Sequence, residues 1–122
     1  MAGNQDLQVW QKGMDLAVEI YRLTKLLPKE ETYGLVDQMR RAAVSIPSNI
    51  AEGNGRDSDI DFARFLSISQ GSRSELETQL ELCNRLGYLS EQQTERARNL
   101  SAEIGRMLAV LIRNKRNSKG RK

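Results

Sequence analysis

The chain has 122 residues, 39% of them hydrophobic and 29% charged, with a formal net charge of +3. This length and mixture are typical of one soluble globular domain and leave no room for a second. Because the chain has no histidine and a single cysteine, it lacks the residues for the di-iron sites, phosphohistidine relays and haem attachment of other helical bundles, and for an intrachain disulfide.

The first helix is predicted near Val9 to Leu27, where apolar residues recur at steps of three and four. The predicted buried face consists of Trp10, Met14, Ala17, Tyr21, Thr24 and Leu27. Pro28 ends this helix. A second helix is predicted from Lys29 or Glu30, with a face made of Leu35, Met39, Ala42, Ile46 and either Asn49 or Ile50.

The second helix contains Pro47, which lacks the N–H donor that a helix interior uses and crowds the carbonyl of Ala43. Since the apolar period continues across Pro47, one kinked helix is favoured, although the bias of Ile46 away from α geometry leaves a break as the alternative. Gly53 is the predicted glycine at the C-terminal end of this helix, and residues 53–56 are the loop.

The third helix is predicted to be capped by Asp57 or Ser58 and to end at Leu86-Gly87-Tyr88. Its predicted face consists of Phe62, Phe65 or Leu66, Ser69, Ser72, Leu76, Gln79 or Leu80, and Cys83. Ser90 and Gln93 have the spacing of a capping box for a fourth helix, which carries Leu100, Ile104, Met107 or Leu108, and Leu111 and frays beyond Ile112.

These elements predict an all-α fold, an antiparallel up-and-down four-helix bundle over residues 1–112, because strand patterns are absent and the connections are short. Residues 113–122 form a basic tail that we expect to be disordered. We expect a cytoplasmic protein, since no apolar run approaches the roughly 18 residues of a membrane span and the N-terminus lacks a signal-peptide pattern.

The charge of the chain is concentrated in its tail. From Arg113 onward there are six Lys or Arg and no acid, while the preceding residues carry 13 basic and 16 acidic groups. Such a tail favours polyanions through counterion release, but short basic ends also occur as solubilising termini. The candidate phosphate contacts are Arg113, Lys115, Arg116, Lys119, Arg121 and Lys122 in the tail, and Arg40, Arg41, Arg56 and Arg64 in the body.

Core packing does not explain two features of the central helices. Arg41, Ser45, Ser48 and Glu52 form a polar stripe beside the apolar face, and Asn49 falls at a core position. Asn49 either fixes an oligomer or accepts a helix contact, with the carbonyl of Ala43 as the expected partner. Gly71, inside SISQGSRS, is expected to allow a close backbone approach, either between the second and third helices or between subunits.

Three stretches of the chain resemble the bacterial four-helix-bundle family that includes proteins encoded in intervening sequences of large-subunit ribosomal RNA genes. These stretches are VWQKGMDLAVEIYRLT, YGLVDQMRRAAVSIPSNIAEGNGR and FARFLSISQGSRSELETQLELCNRLGYL. More distantly, they are similar to the accessory variability protein of diversity-generating retroelements. The resemblance covers about residues 7–112 and implies a bundle, commonly a ring-like homopentamer, with nucleic-acid association in the retroelement relatives. The positions it marks are Gln38, Arg41, Ser45, Pro47, Asn49, Glu52, Gly53, Gly71, Ser72, Glu75 and Glu77.

The leading hypothesis is a non-enzymatic homo-oligomer, with five subunits by resemblance, that binds RNA or DNA and has no cofactor, metal or catalytic site. The predicted oligomer or helix contacts are Gln38, Ser45, Pro47, Asn49, Glu52, Gly71, Ser72 and Glu75. The alternative is a scaffold that holds a protein partner. A remote alternative is an Mg²⁺-dependent nucleotide hydrolase that uses Glu52, Glu75, Glu77 and Glu81.

Overall fold

A computed structural model describes residues 3–118 as four α-helices without strands in that range. The helices are α1 (Asn4–Thr24), α2 (Asp37–Asn54), α3 (Asp59–Arg85) and α4 (Glu91–Arg116). None of the helices in this range is long and apolar enough to cross a membrane.

The four helices form the predicted antiparallel up-and-down bundle. Helix α1 packs against α2 and α4, and α3 packs against the same two helices, so α1 and α3 lie on one diagonal of the bundle. The core is built from aliphatic side chains of all four helices, among them Leu16, Ile46, Leu66 and Ile104, together with the ring of Phe62. Because the connections are short, helices that follow each other along the chain are neighbours in space.

Helix α1 buries a face that is rotated from the predicted one and overlaps it only in part. Its core side chains include Val9, Leu16 and Ile20, whereas Met14 and Tyr21 are 40% and 41% exposed. Two apolar stripes with helical spacing run side by side along this helix, and the aliphatic stripe is the one that packs into the core. The predicted face was therefore wrong at Met14 and Tyr21, which lie on a surface band, whereas Thr24 and Leu27 are buried and Trp10 and Ala17 pack against the core.

Helix α2 begins later than predicted and runs through its proline. A 3-10 turn over Lys29–Glu31 and an irregular turn over Thr32–Val36 precede it, because Gly34 has non-helical dihedral angles of −110° and −107°. The helix then continues without a break through the buried Pro47. Gly13 of α1 faces this proline, and a Cβ built on Gly13 would lie 3.4 Å from the Cβ of Pro47.

Gly53 lies inside α2 and has a packing role instead of the predicted terminal one. A Cβ built on Gly53 would lie 2.8 Å from both Phe62 Cδ1 and Phe65 Cβ. Real Cβ atoms do not approach so closely, so only glycine fits here. Helix α2 therefore reaches Asn54, and the connection to α3 is shorter than predicted.

The ends of α3 and the start of α4 agree with the predictions. The Ser58 side chain accepts a hydrogen bond from the Asp61 N–H, and Gly87 has a φ of 77° in the turn that follows α3. Ser90 and Gln93 form the predicted capping box.

Helix α4 continues to Arg116, so the bundle extends four residues beyond the predicted boundary at Ile112. Arg113, Lys115 and Arg116 consequently belong to the last turn of α4. The tail residues Lys119, Arg121 and Lys122 lie outside the described residues.

Candidate nucleic-acid interface and helix contacts

One end of the bundle gathers half of the predicted phosphate contacts. The antiparallel order brings the start of α3 and the end of α4 to the end where α2 finishes. Arg56 and Arg64 both stack on the ring of Phe65, with Cζ 4.6 Å from its centroid. Lys115 lies 5.0 Å from the centroid of Phe62. We call the group Arg56, Arg64, Arg113, Lys115 and Arg116 the basic end.

Carboxylates neutralise part of the basic end. Arg56 pairs with Glu52 at 3.0 Å and with Asp61 at 3.7 Å, and Arg64 pairs with Asp61 at 2.9 Å. Lys115 lies 3.5 Å from the buried carboxylate of Asp6, which ties the end of α4 to the start of α1. Exposed ion pairs of this kind are weak, but their acids reduce the attraction of the same cations for phosphate.

Two arginines of the basic end lack such acids. Arg113 and Arg116 are exposed, and neither has a carboxylate partner among residues 3–118. Within the described part of the chain, Arg116 donates only to the hydroxyl of Ser67, at 3.3 Å. Both sit in the last turn of α4, directly before Lys119, Arg121 and Lys122 in the sequence, so this end adjoins the basic tail.

Arg40 and Arg41 do not join the basic end. They lie near the start of α2, roughly 20 Å away along a helix that rises 1.5 Å per residue. Arg41 pairs with Asp37 at 2.9 Å, and Arg40 lies over the Tyr21 ring at 4.5 Å while donating to Thr24 Oγ1. The structure therefore divides the predicted body contacts between the two ends of the bundle.

Ser45 of the polar stripe contacts α3, whereas Arg41, Ser48 and Glu52 are exposed on α2. Ser45 Oγ and Ser72 Oγ are 2.8 Å apart, and Ser69 Oγ donates to the carbonyl of Ile46 at 2.8 Å. Asn49 Nδ2 donates to the carbonyl and hydroxyl of Ser45, at 2.8 and 2.9 Å. The expected bond from Asn49 to Ala43 is thus replaced by one to Ser45, a full helical turn before the amide. The bonds of Ser69 and Ser72 fix the position of α3 relative to α2 along the bundle axis.

Gln79 lies farther along α3 with an incompletely satisfied amide. Its Nε2 lies 3.5 Å from a carboxylate oxygen of Glu75, whereas its buried Oε1 has no hydrogen-bond partner within residues 3–118. Glu75 itself is exposed and has no cation partner in that part of the chain. Gln38, also marked by the resemblance, is exposed on α2.

Gly71 faces open space within the subunit. A Cβ built on it would meet no atom within 4 Å among the described residues, so the predicted close approach between α2 and α3 at Gly71 was wrong. The alternative, a contact with another subunit, stays a prediction.

The close contact of α3 with α4 occurs at Gly105, which the sequence pattern does not single out. A Cβ on Gly105 would lie 2.8 Å from Arg73 Cζ, because the arginine crosses the helix at this point. Arg73 donates to Glu77 at 2.7 Å and to Gln70 at 2.6 Å. The clue in the sequence is the glycine itself, in the middle of an otherwise regular helix.

The carboxylates of the magnesium hypothesis do not converge. Glu77 binds Arg73, Glu81 binds Arg85 and Arg98, and Glu52 binds Arg56 at the basic end. The arginines hold the pKa of Glu81 below its usual value. Over residues 3–118, no three Asp, Glu, His or Cys side chains are grouped so that they could hold a metal ion.

Cys83 is a buried core side chain, as expected for a cysteine at an apolar helical position. Its Sγ lies 3.6 Å from Met39 Sδ, and burial raises the pKa of its thiol to about 11. A thiol with this pKa is almost entirely protonated at neutral pH, and the protonated form is a poor nucleophile.

Comparisons with known proteins agree with the fold. Residues 5–110 match the family model described as 23S rRNA-intervening sequence protein. A solved structure of a protein with unknown function from the S23 ribosomal protein family of Bacteroides thetaiotaomicron VPI-5482 is 34% identical, with a TM-score of 0.82. The match covers 89% of this chain and 98% of that one. Among the curated proteins, none matches this chain.

Proposed function

Because the chain belongs to the 23S rRNA-intervening sequence protein family, we propose that it is a non-enzymatic bundle that assembles with its own copies and binds RNA or DNA at the basic end. The resemblance suggests a ring of five subunits. The observation that carries the binding proposal is the pair of exposed arginines, Arg113 and Arg116, without carboxylate partners among residues 3–118 and next to Arg56 and Arg64.

Binding of this kind is directed at phosphates and is largely independent of sequence. The two phenylalanines of the basic end are covered by cations and core packing: Phe62 is buried, and Phe65 lies under Arg56 and Arg64. Neither ring is available to stack on a base, and contacts to phosphates alone do not read base sequence.

The test combines solution mass with nucleic-acid binding. Light scattering gives the mass of the full chain, and the ratio of absorbance at 260 and 280 nm before and after nuclease treatment detects co-purifying nucleic acid. A titration with single-stranded RNA and with duplex DNA at several salt concentrations then gives the slope of log affinity against log salt. Each neutralised phosphate contributes about −0.7 to −0.9 to this slope. The absence of binding at low salt contradicts the nucleic-acid proposal, and a monomeric mass contradicts the assembly.

A second candidate function is a scaffold for a protein partner at the opposite end of the bundle. Leu26, Tyr33 and Leu86 lie there, at the end of α1, before α2 and after α3, and Tyr33 is 95% exposed. Exposed aromatic and aliphatic side chains are typical of protein contacts. Retention of a protein partner after nuclease treatment, with loss of that partner in Tyr33→Ala, supports this function.

A further inference from the structure

Two exposed stripes run along diagonally opposite helices of the bundle. On α1 the stripe consists of Leu7, Met14, Val18, Tyr21 and Lys25; on α3 it consists of Arg64, Ile68, Gly71, Glu75, Thr78 and Leu82. Val18 is 69% exposed, and Ile68 and Leu82 are 42% and 43% exposed. Aliphatic side chains repeated on one outward face of a helix indicate a surface that another molecule covers.

Apart from Ile68, which has no counterpart on α1, the two stripes have the same spacing. The steps along the α1 stripe are seven, four, three and four residues, and the same steps connect Arg64, Gly71, Glu75, Thr78 and Leu82 on α3. Such steps of three and four keep side chains on one face, and two parallel helices with matching steps interdigitate along their length.

The stripes also lie at the same level along the bundle axis. Gly13 of α1 meets Pro47 of α2, while the neighbouring α2 residues Ser45 and Ile46 bond to Ser72 and Ser69 of α3. Met14 and Gly71 are therefore at nearly equal heights. Helices α1 and α3 also run in the same direction, since alternate helices of an up-and-down bundle are parallel.

We infer that the α1 stripe of one subunit docks on the α3 stripe of the next subunit, with Met14 against Gly71. This inference rests on the assembly in the proposed function. Two unlike surfaces at equal heights produce a head-to-tail contact without a rise, and this contact closes into a ring when the rotation between neighbouring subunits divides a full turn evenly. The docking also accounts for Gly71, whose missing side chain leaves room for Met14.

The charges beside the stripes are complementary. Lys25, the last member of the α1 stripe, and Arg40 beside Tyr21 have no carboxylate partners among the described residues, whereas Glu75 lies in the middle of the α3 stripe without a cation partner in that range. A parallel contact between two α1 stripes would bring Lys25 and Arg40 against their own copies. Unlike stripes avoid this repulsion. With Met14 against Gly71, Glu75 faces Val18, one helical turn from Tyr21, over which Arg40 lies.

Disulfide crosslinking between separately purified single variants tests this contact. An added copper-phenanthroline oxidant removes two electrons and two protons from a pair of thiols within reach, which requires Cα atoms about 4.4–6.8 Å apart. The buried thiol of Cys83, with its pKa of about 11, does not compete.

We expect Met14→Cys mixed with Gly71→Cys to give a covalent dimer, and neither variant to link to itself. The double variant should give a ladder that ends at the ring size. Ala102→Cys, exposed on the outer face of α4, is the matched control that does not link to Met14→Cys.

A second variant blocks the contact without disturbing the fold. Since a side chain at Gly71 meets nothing within 4 Å of the described subunit, Gly71→Trp should keep its helix content and give a monomeric mass, whereas Ala102→Trp stays assembled.

The outcomes separate the inference from the proposal on which it rests. An assembled protein in which Met14→Cys links only to itself, or in which the mixture gives no dimer, overturns the docking and leaves the assembly intact. A monomeric mass for the unmodified chain overturns both, while nucleic-acid binding is measured independently by the salt titration.

Discussion

The two arginines at the end of α4 provide the sharpest test of the nucleic-acid interface. Arg113→Gln/Arg116→Gln removes two exposed cations that have no carboxylate partner among residues 3–118. The matched control, Arg41→Gln/Arg85→Gln, removes the same charge from exposed arginines paired with Asp37 and Glu81, each at 2.9 Å. Both double variants therefore have the same net charge, and they differ in where the charge is lost and in whether the arginines are paired.

The magnitude follows from the number of phosphate contacts removed. If each arginine neutralises one phosphate, the slope of log affinity against log salt becomes less steep by about 1.4–1.8 in the α4 variant. Between 50 and 200 mM salt, the affinity advantage of the unmodified chain over this variant then shrinks by roughly ten-fold. The control should keep its slope, because its arginines lie away from the basic end and are already paired.

Fluorescence anisotropy with a labelled single-stranded RNA, repeated at five or six salt concentrations, measures both slopes. Loss of the two α4 side chains should have little effect on folding, since a cation in the last turn of a helix contributes only about 0.3–1 kcal/mol. Circular dichroism melts check this point. Equal changes of slope in the two variants would show that binding responds to total charge, and an unchanged slope in the α4 variant would refute the basic end as the contact.

Three further outcomes are expected. Gly53→Ala should lower the free energy of unfolding by about 1–3 kcal/mol in urea titrations, despite the better helix propensity of alanine, because its Cβ would lie 2.8 Å from Phe62 Cδ1; a gain in stability contradicts the packing role. Burial raises the pKa of Cys83 from 9.0 to about 11, so the unfolded chain loses this proton at a lower pH than the folded chain. The free energy of unfolding should therefore be unaffected by this thiol below pH 9 and decrease by up to about 1.4 kcal/mol per pH unit between pH 9 and 11. In pH-dependent urea titrations, Cys83→Ala should lack this decrease. Asn49→Leu removes the amide that bonds Ser45 beside the α2–α3 groove and should change the assembled mass; light scattering that gives equal masses contradicts an oligomer role for Asn49.

The fold follows from the sequence where local chemistry alone decides it. Ser58 and Ser90 cap the helices that they precede, and Gly87 ends α3, because hydroxyl acceptors and positive φ act within a few residues. The buried face of α3 is similarly predictable at Phe62, Leu76 and Cys83, although Ile60, Ile68 and Leu82 of the same helix are exposed.

The sequence does not determine which of two helix faces is buried when both have apolar residues at helical spacing. Met14 and Tyr21 have the same helical spacing as the core residues beside them, and only packing against α2 and α4 selects which stripe is buried. The glycines show the same limit, since Gly105 and Gly71 both lie inside regular helices. The space beside Gly105 is occupied by the side chain of Arg73, whereas Gly71 faces open space. Tertiary contacts decide such cases, because both alternatives satisfy the same periodicity.

The docking of α1 on α3 has a consequence for nucleic-acid binding. In a ring without a rise, every subunit points in the same direction, so the ends of all α4 helices lie on one rim. Arg113 and Arg116 of each subunit then face a single polyanion together. Contacts that are individually weak become intramolecular after the first one forms, which raises avidity without any new contact. Gly71→Trp should therefore weaken binding to a long RNA far more than binding to an RNA that spans one subunit, although it leaves the basic end unchanged. Equal losses for the two RNA lengths would show that binding does not depend on a shared rim.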